Sequence, residues 1–348
     1  MEIQLIFTQN NKLKIYISKN QYSHGDFKIC FSLVYSIKDI IGGAISKQVG
    51  RYYEIYSQKD EIILTLQETR IGTYNLSCGP EGLFILDKND NIIESKIIPL
   101  KFENPIDPIA YTDEKDKIFD PVIPLPNLLK LEEETVPIKD LKFKIPPDEK
   151  KFFENLNNLF YPSNIKFNTS SGYSIFFKKQ ILKSEEYKIN IKKEFISIEY
   201  SDYGGKLYSI ITLIQLINFY KTYLPICSIE DKPCLNWRGM HLDCARQFYT
   251  IDEIKRLMDY MCFFKLNRFH WHLTDNEAWR VELECYPNLT KVGAFRGYNE
   301  IIPPFYGTGY NKTGGYYSRS QIIELIEYAR DRNIEIMPEI DLPAHSWT

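Results

Sequence analysis

Three strand-like runs alternate with amphipathic helices in the last third of the chain, and this order constrains the fold more than any other feature. The runs cover 239–245, 269–274 and 334–340. Two capping boxes predict the starts of the intervening helices, Thr250 with Glu253 and Ser318 with Gln321. A strand–helix–strand order is typical of a parallel sheet. It predicts the opening of a (β/α)8 TIM barrel, of which about three of the eight units lie within 233–348.

Polar and aromatic side chains cluster where these three runs end. In a β/α barrel the active site lies at the carboxyl ends of the strands. The residues at these ends are Asp243, Arg246, His272, Asp275, Glu277, Trp279, Glu339, Asp341 and His345, and Arg238 stands at the start of the first run. So many ionisable groups at successive strand ends are uncommon in a purely structural barrel, which predicts an active site here.

Asp275 and His345 are the strongest pair of candidates in this set. A carboxylate beside a histidine fixes the tautomer and the orientation of the imidazole. That imidazole can then hold the general acid of a hydrolase at a useful pKa. The alternative is a structural ion pair that closes the top of the barrel.

Several other candidates have two interpretations from the residues alone. Arg238 could donate to sugar hydroxyls through its planar guanidinium, or pair with a carboxylate such as Asp243. His270 and His272 share a strand face, but no nearby cysteine supports a metal site, and core or supporting roles are favoured. Four further residues remain candidates for substrate contact or for hydrogen bonds at the strand ends: Glu277, Trp279, Glu339 and Asp341.

The rest of the chain divides into three predicted segments before the barrel. Residues 1–103 contain short β-branched and aromatic runs without a convincing helix, which predicts a β-sandwich. A linker at 104–128 holds five prolines. Residues 129–232 mix strand-like runs with helical spacing and predict a small α+β domain that buttresses the barrel at 233–348. For the β-sandwich, packing or a spacer role is favoured over sugar binding.

Composition excludes several classes of protein. The net charge of −3 and the lack of a basic stripe argue against nucleic-acid binding. No apolar stretch is suited to a membrane span, and the first residues lack the pattern of a signal peptide, so a cytoplasmic location is the default expectation. The seven cysteines show no zinc-type spacing. We therefore expect neither a metal nor another cofactor.

Seven segments closely resemble the family 20 glycoside hydrolases, the β-N-acetylhexosaminidases that include chitobiase. In the last third these are WRGMHLDCARQF, KLNRFHWHLTDNEAWRVEL, YPNLTKVGAFRG, GGYYS and PEIDLPAH, and upstream they are YGGKLYSIITLIQL and LPICSIEDKP. The resemblance covers about 120–348 and is most specific in 237–345. Residues 1–103 are only loosely similar to the extra β-domain of some members.

The resemblance implies hydrolysis of terminal N-acetylglucosamine or N-acetylgalactosamine residues by a retaining, substrate-assisted mechanism. The substrate's acetamido oxygen attacks the anomeric carbon, an Asp orients the acetamide, and a Glu protonates the leaving oxygen. On the matching positions, Arg238 would contact the terminal sugar, and Asp275 with His345 would support the general acid.

Two departures from the family pattern affect this interpretation. Ala344 replaces the glycine usual before the histidine, and the adjacent Asp-Glu pair expected after a fourth strand is not within the 348 residues. We therefore expect an N-terminal portion of a hexosaminidase, with a truncated barrel that is inactive alone. A non-catalytic carbohydrate-binding protein, or one half of a split enzyme completed by a C-terminal fragment, remains the alternative.

Overall fold

The computed structural model describes residues 1–8, 11–18, 20–67, 79–103, 120–138, 142–156 and 165–347. Most of the predicted linker, 104–119, lies outside these ranges, as does Cys78. Among the described helices, none combines the length and the apolar composition needed to span a bilayer.

The first hundred residues form two facing sheets with one apolar core between them. The strands are β1 Glu2–Thr8, β2 Lys12–Ser18, β3 Phe27–Ser32, β4 Ile37–Ile41, β5 Gly43–Val49, β6 Tyr52–Ser57, β7 Glu61–Leu66, β8 Glu81–Asp87 and β9 Lys96–Phe102. One sheet has the order β4-β7-β2-β1-β9 and the other β5-β6-β3-β8. Buried and partly exposed residues alternate along β1 and β2, as expected for strands with one face on a core. The prediction of a β-sandwich agrees with these sheets.

The strand-like runs recognised in the sequence did not include β4, β5 and β6. Residues of β5 such as Ser46, Lys47 and Gln48 are polar, so the period-two pattern is weak there. In contrast, every residue of β3 is buried. Both faces of this strand are therefore covered, one by the sandwich core and the other by a loop from the last third of the chain.

A seven-stranded mixed sheet follows. Its elements are β10 Leu128–Pro137, β11 Lys142–Lys144, a 3₁₀ turn Pro147–Glu149, α1 Lys150–Asn155, β12 Lys166–Asn168, β13 Tyr173–Lys179, β14 Tyr187–Ile191, β15 Phe195–Tyr200, α2 Tyr203–Tyr220 and β16 Tyr223–Asp231. The apolar residues of α2 pack on the sheet, as the helical spacing predicted. The α+β character is thus confirmed, although β10 begins inside the segment predicted as linker.

The last third contains the predicted parallel sheet. Its elements are β17 Gly239–Asp243, α3 Ile251–Phe263, β18 Arg268–His272, β19 Thr274–Asp275, β20 Ala278–Trp279, α4 Asn288–Lys291, β21 Phe295–Arg296, β22 Thr313–Gly314, α5 Arg319–Arg330 and β23 Glu335–Glu339. β17, β18 and β23 are parallel neighbours, with β18 in the middle. Both predicted capping boxes are formed, and they start α3 and α5. Closure into an eight-stranded barrel stays a prediction.

Candidate active site at the carboxyl ends of β17, β18 and β23

The register of the parallel sheet places three polar residues side by side. Asp243 pairs with His272, and His272 pairs with Glu339, so the last residues of β17, β18 and β23 are neighbours. The loops that follow these strands supply the remaining groups. The sequence predicted these residues at strand ends. In the structure they lie side by side at one edge of the sheet, the one formed by the carboxyl ends of the strands.

Asp275 is the centre of this edge. Its side chain is 1% exposed, and its two carboxylate oxygens contact four donors. Oδ1 accepts from the backbone N–H of Asn276 at 2.7 Å and lies 3.1 Å from Nδ1 of His345. Oδ2 lies 3.1 Å from Nε2 of His272 and forms an ion pair with Arg246. Burial alone would raise the pKa of Asp275, but these donors and the Arg246 charge outweigh it and hold the pKa below its usual range.

The structure brings His345 to Asp275, although 70 residues separate them in the sequence. His345 lies in the loop after β23, has a φ of 54° and has a side chain 53% exposed. With the Asp275 carboxylate at Nδ1, the neutral imidazole carries its proton on that nitrogen. Nε2 of His345 has no hydrogen-bond partner among the described residues, so it is able to accept a proton or a hydrogen bond from a third group.

Arg246 links the carboxylates of the site. It donates to Asp243 at 2.8 Å and to Glu277 at 3.1 Å, and it also pairs with Asp275. Desolvation would lower the pKa of this guanidinium, but the three carboxylates raise it, so it keeps its charge. For Glu277, burial and the neighbouring Asp275 charge outweigh the Arg246 charge and raise the pKa of the carboxyl group.

Glu339 ends β23 among histidines. Its Oε2 lies 2.6 Å from Nε2 of His270 and 2.9 Å from Nδ1 of His272. The contact with His272 does not have the geometry of a hydrogen bond. Burial opposes ionisation, but the histidine contacts lower the pKa of Glu339. Asp341 makes its contact to the neighbouring strand through its backbone N–H, which donates to Thr274 Oγ1 at 3.0 Å.

Two groups of these side chains have metal-type donor atoms within reach of one another, His241 with His272 and Glu339, and His272 with Asp275 and Asp341. In each group one carboxylate already contacts side chains that surround it. Arg246 pairs with Asp275, and histidine nitrogens contact Glu339. A divalent ion would have to displace these contacts, so we assign no metal site here.

Trp279, the candidate tryptophan, and its neighbour Trp271 occupy different environments. Trp271 is 1% exposed and packs in the core below the sheet edge, where its Nε1 donates to Cys244 Sγ. Trp279 is partly exposed on β20 and donates through Nε1 to the Val281 carbonyl at 2.6 Å. Its ring is therefore fixed in orientation beside the site, whereas Trp271 is a packing residue.

Arg238 is not part of this cluster. It precedes β17 and so lies at the amino end of the sheet, opposite Asp275. Its guanidinium donates to the Lys265 carbonyl at 2.7 Å, the Leu235 carbonyl at 2.7 Å and Glu185 Oε2 at 2.6 Å. Its donors thus join the parallel sheet to the α+β sheet. The substrate contact predicted for Arg238 does not fit this position, and the structural ion pair was the appropriate alternative, with Glu185 rather than Asp243 as the partner.

We expect Arg238→Ala to lower the free energy of unfolding by about 3 kcal/mol, because Glu185 would keep a half-buried charge without its cation. Urea unfolding followed by tryptophan fluorescence measures this loss. Arg268→Ala is a matched control, since Arg268 pairs with Glu335, whose side chain is 65% exposed, and such pairs contribute about 0–1 kcal/mol. Equal losses in the two variants would contradict the structural role of Arg238.

Arg280 is a residue that the sequence did not single out. It is 1% exposed, and its guanidinium donates to the carbonyls of Cys244, Ala245, Ala294 and Gly315 at 2.6–2.9 Å. Cys244 and Ala245 lie in the loop after β17, whereas Ala294 precedes β21 and Gly315 follows β22. No sequence pattern marks such a role, because it depends on loops that are distant in the chain.

Comparison with known proteins agrees with this arrangement. Residues 120–232 match the family described as glycosyl hydrolase family 20, domain 2, and residues 235–348 match glycosyl hydrolase family 20, catalytic domain. A beta-hexosaminidase of Vibrio furnissii is 41% identical over 162 residues, which are 46% of this chain and 26% of the relative. The N,N'-diacetylchitobiase of Vibrio harveyi is 38% identical over 178 residues, which are 49% of this chain and 20% of the relative.

Solved structures extend the match to the β-sandwich. The GH20 exo beta-N-acetylglucosaminidase from Vibrio harveyi, solved in complex with N-acetylglucosamine, aligns with a TM-score of 0.80 at 26% identity. The alignment covers 99% of this chain and 57% of that one. The chain thus spans less than two thirds of the length of these relatives. With both of its last two segments matching domains of one family, the chain belongs to glycosyl hydrolase family 20.

Proposed function

We propose that residues 1–348 form the N-terminal part of a β-N-acetylhexosaminidase. Such an enzyme removes terminal N-acetylhexosamine residues from glycans by a retaining, substrate-assisted mechanism. The observation that carries this proposal is the contact of His345 Nδ1 with the buried Asp275 in a family 20 chain. The names of the relatives, beta-hexosaminidase and N,N'-diacetylchitobiase, indicate the substrate class.

In this mechanism Asp275 and His345 act through the general acid rather than on the sugar. The ionised Asp275 holds the proton of His345 on Nδ1, which leaves Nε2 to accept a hydrogen bond from a protonated carboxyl group. The hydrogen bond to Nε2 and the negative charge of Asp275 both favour the protonated form of that group until it gives its proton to the leaving oxygen. This support maintains the acid at a pKa suited to proton transfer.

Arg246 is the arginine that we propose for contact with the terminal sugar. It has five N–H donors, and three carboxylates take one contact each. Its side chain is 29% exposed, so the remaining donors are accessible at the sheet edge. Sugar hydroxyls are neutral acceptors that a planar guanidinium can bind without displacing Asp275.

Residues 1–348 alone do not supply every group that this mechanism needs. The sheet edge holds Asp275, Glu277, Glu339 and Asp341, but the family resemblance assigns neither proton donation nor acetamide orientation to them. We infer that this polypeptide needs further residues to hydrolyse its substrate. A missing general acid alone costs about 10²–10⁴-fold in rate.

Assays of the purified 348-residue polypeptide test this proposal. With a chromogenic N-acetylglucosaminide we expect no turnover above the uncatalysed rate, together with weak binding of N-acetylglucosamine. Robust turnover would contradict the need for further residues, and failure to bind the sugar would contradict the proposed site.

Two other functions, a carbohydrate-binding protein and a split enzyme, have their own tests. Measurable affinity for chitooligosaccharides without any hydrolysis in the native protein would favour a carbohydrate-binding protein. Recovery of hydrolysis on addition of a separately encoded family 20 C-terminal fragment would favour a split enzyme.

A further inference from the structure

The long excursion between β21 and β22 packs on the outer face of the sandwich. Ile302 and Phe305 from this excursion share an apolar cluster with Cys30, Tyr52 and Phe84. All five side chains are buried. The β-sandwich is therefore joined to the excursion by a continuous apolar contact.

Phe305 is held in this cluster from two sides. It is 4% exposed, and the carbonyl of the preceding residue, Pro304, accepts from Ser32 Oγ at 2.6 Å. A Cβ added to Gly50, in the turn between β5 and β6, would lie 3.2 Å from a carbon of the Phe305 ring. The sandwich therefore determines where this ring lies.

Phe305 also contacts the loop that follows β23. The ring centres of Phe305 and Trp347 lie 6.1 Å apart, with the ring planes inclined by 44°, and Trp347 lines a groove beside α4 together with Ile302. The backbone N–H of Trp347 donates to Asn276 Oδ1 at 3.3 Å, and Asn276 is the residue after Asp275. A series of contacts thus runs from the sandwich, through Phe305 and Trp347, to the candidate active site.

His345 lies two residues before Trp347 in the same loop. Its φ of 54° is in the left-handed region, which a residue with a Cβ keeps only where the surrounding structure holds it. Its side chain is 53% exposed, and its Nδ1 lies 3.1 Å from Oδ1 of Asp275. Because solvent reaches the imidazole, the ring stays on Asp275 only while the backbone of the loop is held in place.

We propose that Phe305 and Trp347 are positioning residues, through which the β-sandwich holds the 342–347 loop so that Nδ1 of His345 stays on Asp275. This role rests on the proposed function, in which Nε2 of His345 supports the general acid. The sandwich then contributes to the site itself, beyond the packing or spacer role expected from the sequence.

The tautomer of His345 reports on this positioning. The Asp275 carboxylate holds the imidazole proton on Nδ1. Without the ring contact, we expect the loop to move, water to replace Asp275 at Nδ1, and the neutral imidazole to exist as a mixture of its two tautomers. Loss of packing elsewhere in the protein has no such effect on this ring.

NMR of the 348-residue polypeptide with isotope-labelled histidine tests the role, because the nitrogen chemical shifts of an imidazole distinguish its two neutral tautomers. At about pH 9, above the usual imidazole pKa of about 6.5, wild type should show His345 with its proton on Nδ1 alone. Trp347→Ala and Phe305→Ala should move both ring nitrogens toward the averaged shifts of a mixture. The resonances of His345 are those that disappear in His345→Gln.

Three further variants serve as controls. Trp347→Phe keeps a ring opposite Phe305 and should restore the wild-type shifts. Trp237→Ala removes a tryptophan that is 56% exposed, against 63% for Trp347, and should leave the His345 shifts unchanged. Phe153→Ala removes a buried ring from the core of the α+β sheet. It should lower the unfolding temperature without changing the shifts.

The outcomes separate the positioning role from the function on which it rests. If Trp347→Ala or a folded Phe305→Ala keeps the wild-type shifts, or if Phe153→Ala changes them as much, the positioning role is wrong and the proposed function stands. If wild type itself shows a mixture of tautomers, the contact that carries the proposed function is contradicted as well. Trp347 is largely exposed, so Trp347→Ala should fold and decide the matter even where Phe305→Ala does not.

Discussion

Asp275→Asn should lower the free energy of unfolding of the parallel-sheet segment by about 3–5 kcal/mol at pH 7, the usual effect of removing one partner of a buried ion pair. Asn keeps the size of the side chain but loses the charge. Arg246 and the imidazoles of His272 and His345 would then face a neutral amide, part of which is itself a donor. All four tryptophans of the chain lie in 237–347, so the tryptophan fluorescence of a urea titration reports on this segment.

The effect of the substitution should depend on pH in a defined direction. The folded pKa of Asp275 lies below the ordinary value of 3.8. The stabilisation is therefore fully present above about pH 4 and is lost as the pH falls through the folded pKa. The difference between wild type and Asp275→Asn should shrink below pH 4, because the protonated acid then resembles the amide.

Asp341→Asn is the matched control at the same edge of the sheet. Its described contact to the strand is made by the backbone N–H, which the substitution keeps. We expect a loss within about 0.5 kcal/mol, as for other surface substitutions. A loss at Asp341 equal to that at Asp275, or a pH-independent loss at Asp275, would show that the buried pairing is not what stabilises the site.

Prediction from sequence was most accurate for features that one short segment of the chain determines. Asp275 follows its strand directly, so the period of the strand and the strand-end rule sufficed to place it at the sheet edge. The capping boxes at Thr250 and Ser318 are likewise local, because both partners lie within one helical turn.

Prediction from sequence was weakest where contacts join distant segments. Arg238 and Arg246 are both arginines beside the same strand, and only the direction of β17 decides that Arg246 reaches Asp275 while Arg238 meets Glu185. The second covered face of β3 depends on a loop about 270 residues away, which no pattern within the strand reveals. Local sequence patterns predicted most of the strands and helices in each segment, but the site depends on how the segments meet.

Arg280→Lys should destabilise the parallel-sheet segment by about 3 kcal/mol or more, although the charge is kept. Four carbonyls accept from the planar fork of Arg280. A lysine ammonium has three donors around one nitrogen and cannot reach all four, so at least one buried carbonyl loses its partner at a cost of about 1–3 kcal/mol.

Burial adds to this cost, because desolvation and the nearby Arg296 charge already lower the pKa of Arg280 to about 10. A lysine, whose ordinary pKa is lower, should lose its proton more readily there. Because the folded state then releases this proton at a lower pH than the unfolded state, the loss of stability in Arg280→Lys relative to wild type should shrink as the pH rises from 7 to 9. Arg319→Lys on α5, which is exposed, is the control and should change stability by less than about 0.5 kcal/mol. Hydrogen exchange completes the test: faster exchange of the amides in 244–246 and 293–297 is expected in Arg280→Lys alone. Unchanged exchange there would mean that the four carbonyl contacts do not hold the loops on which Arg246 and Glu277 depend.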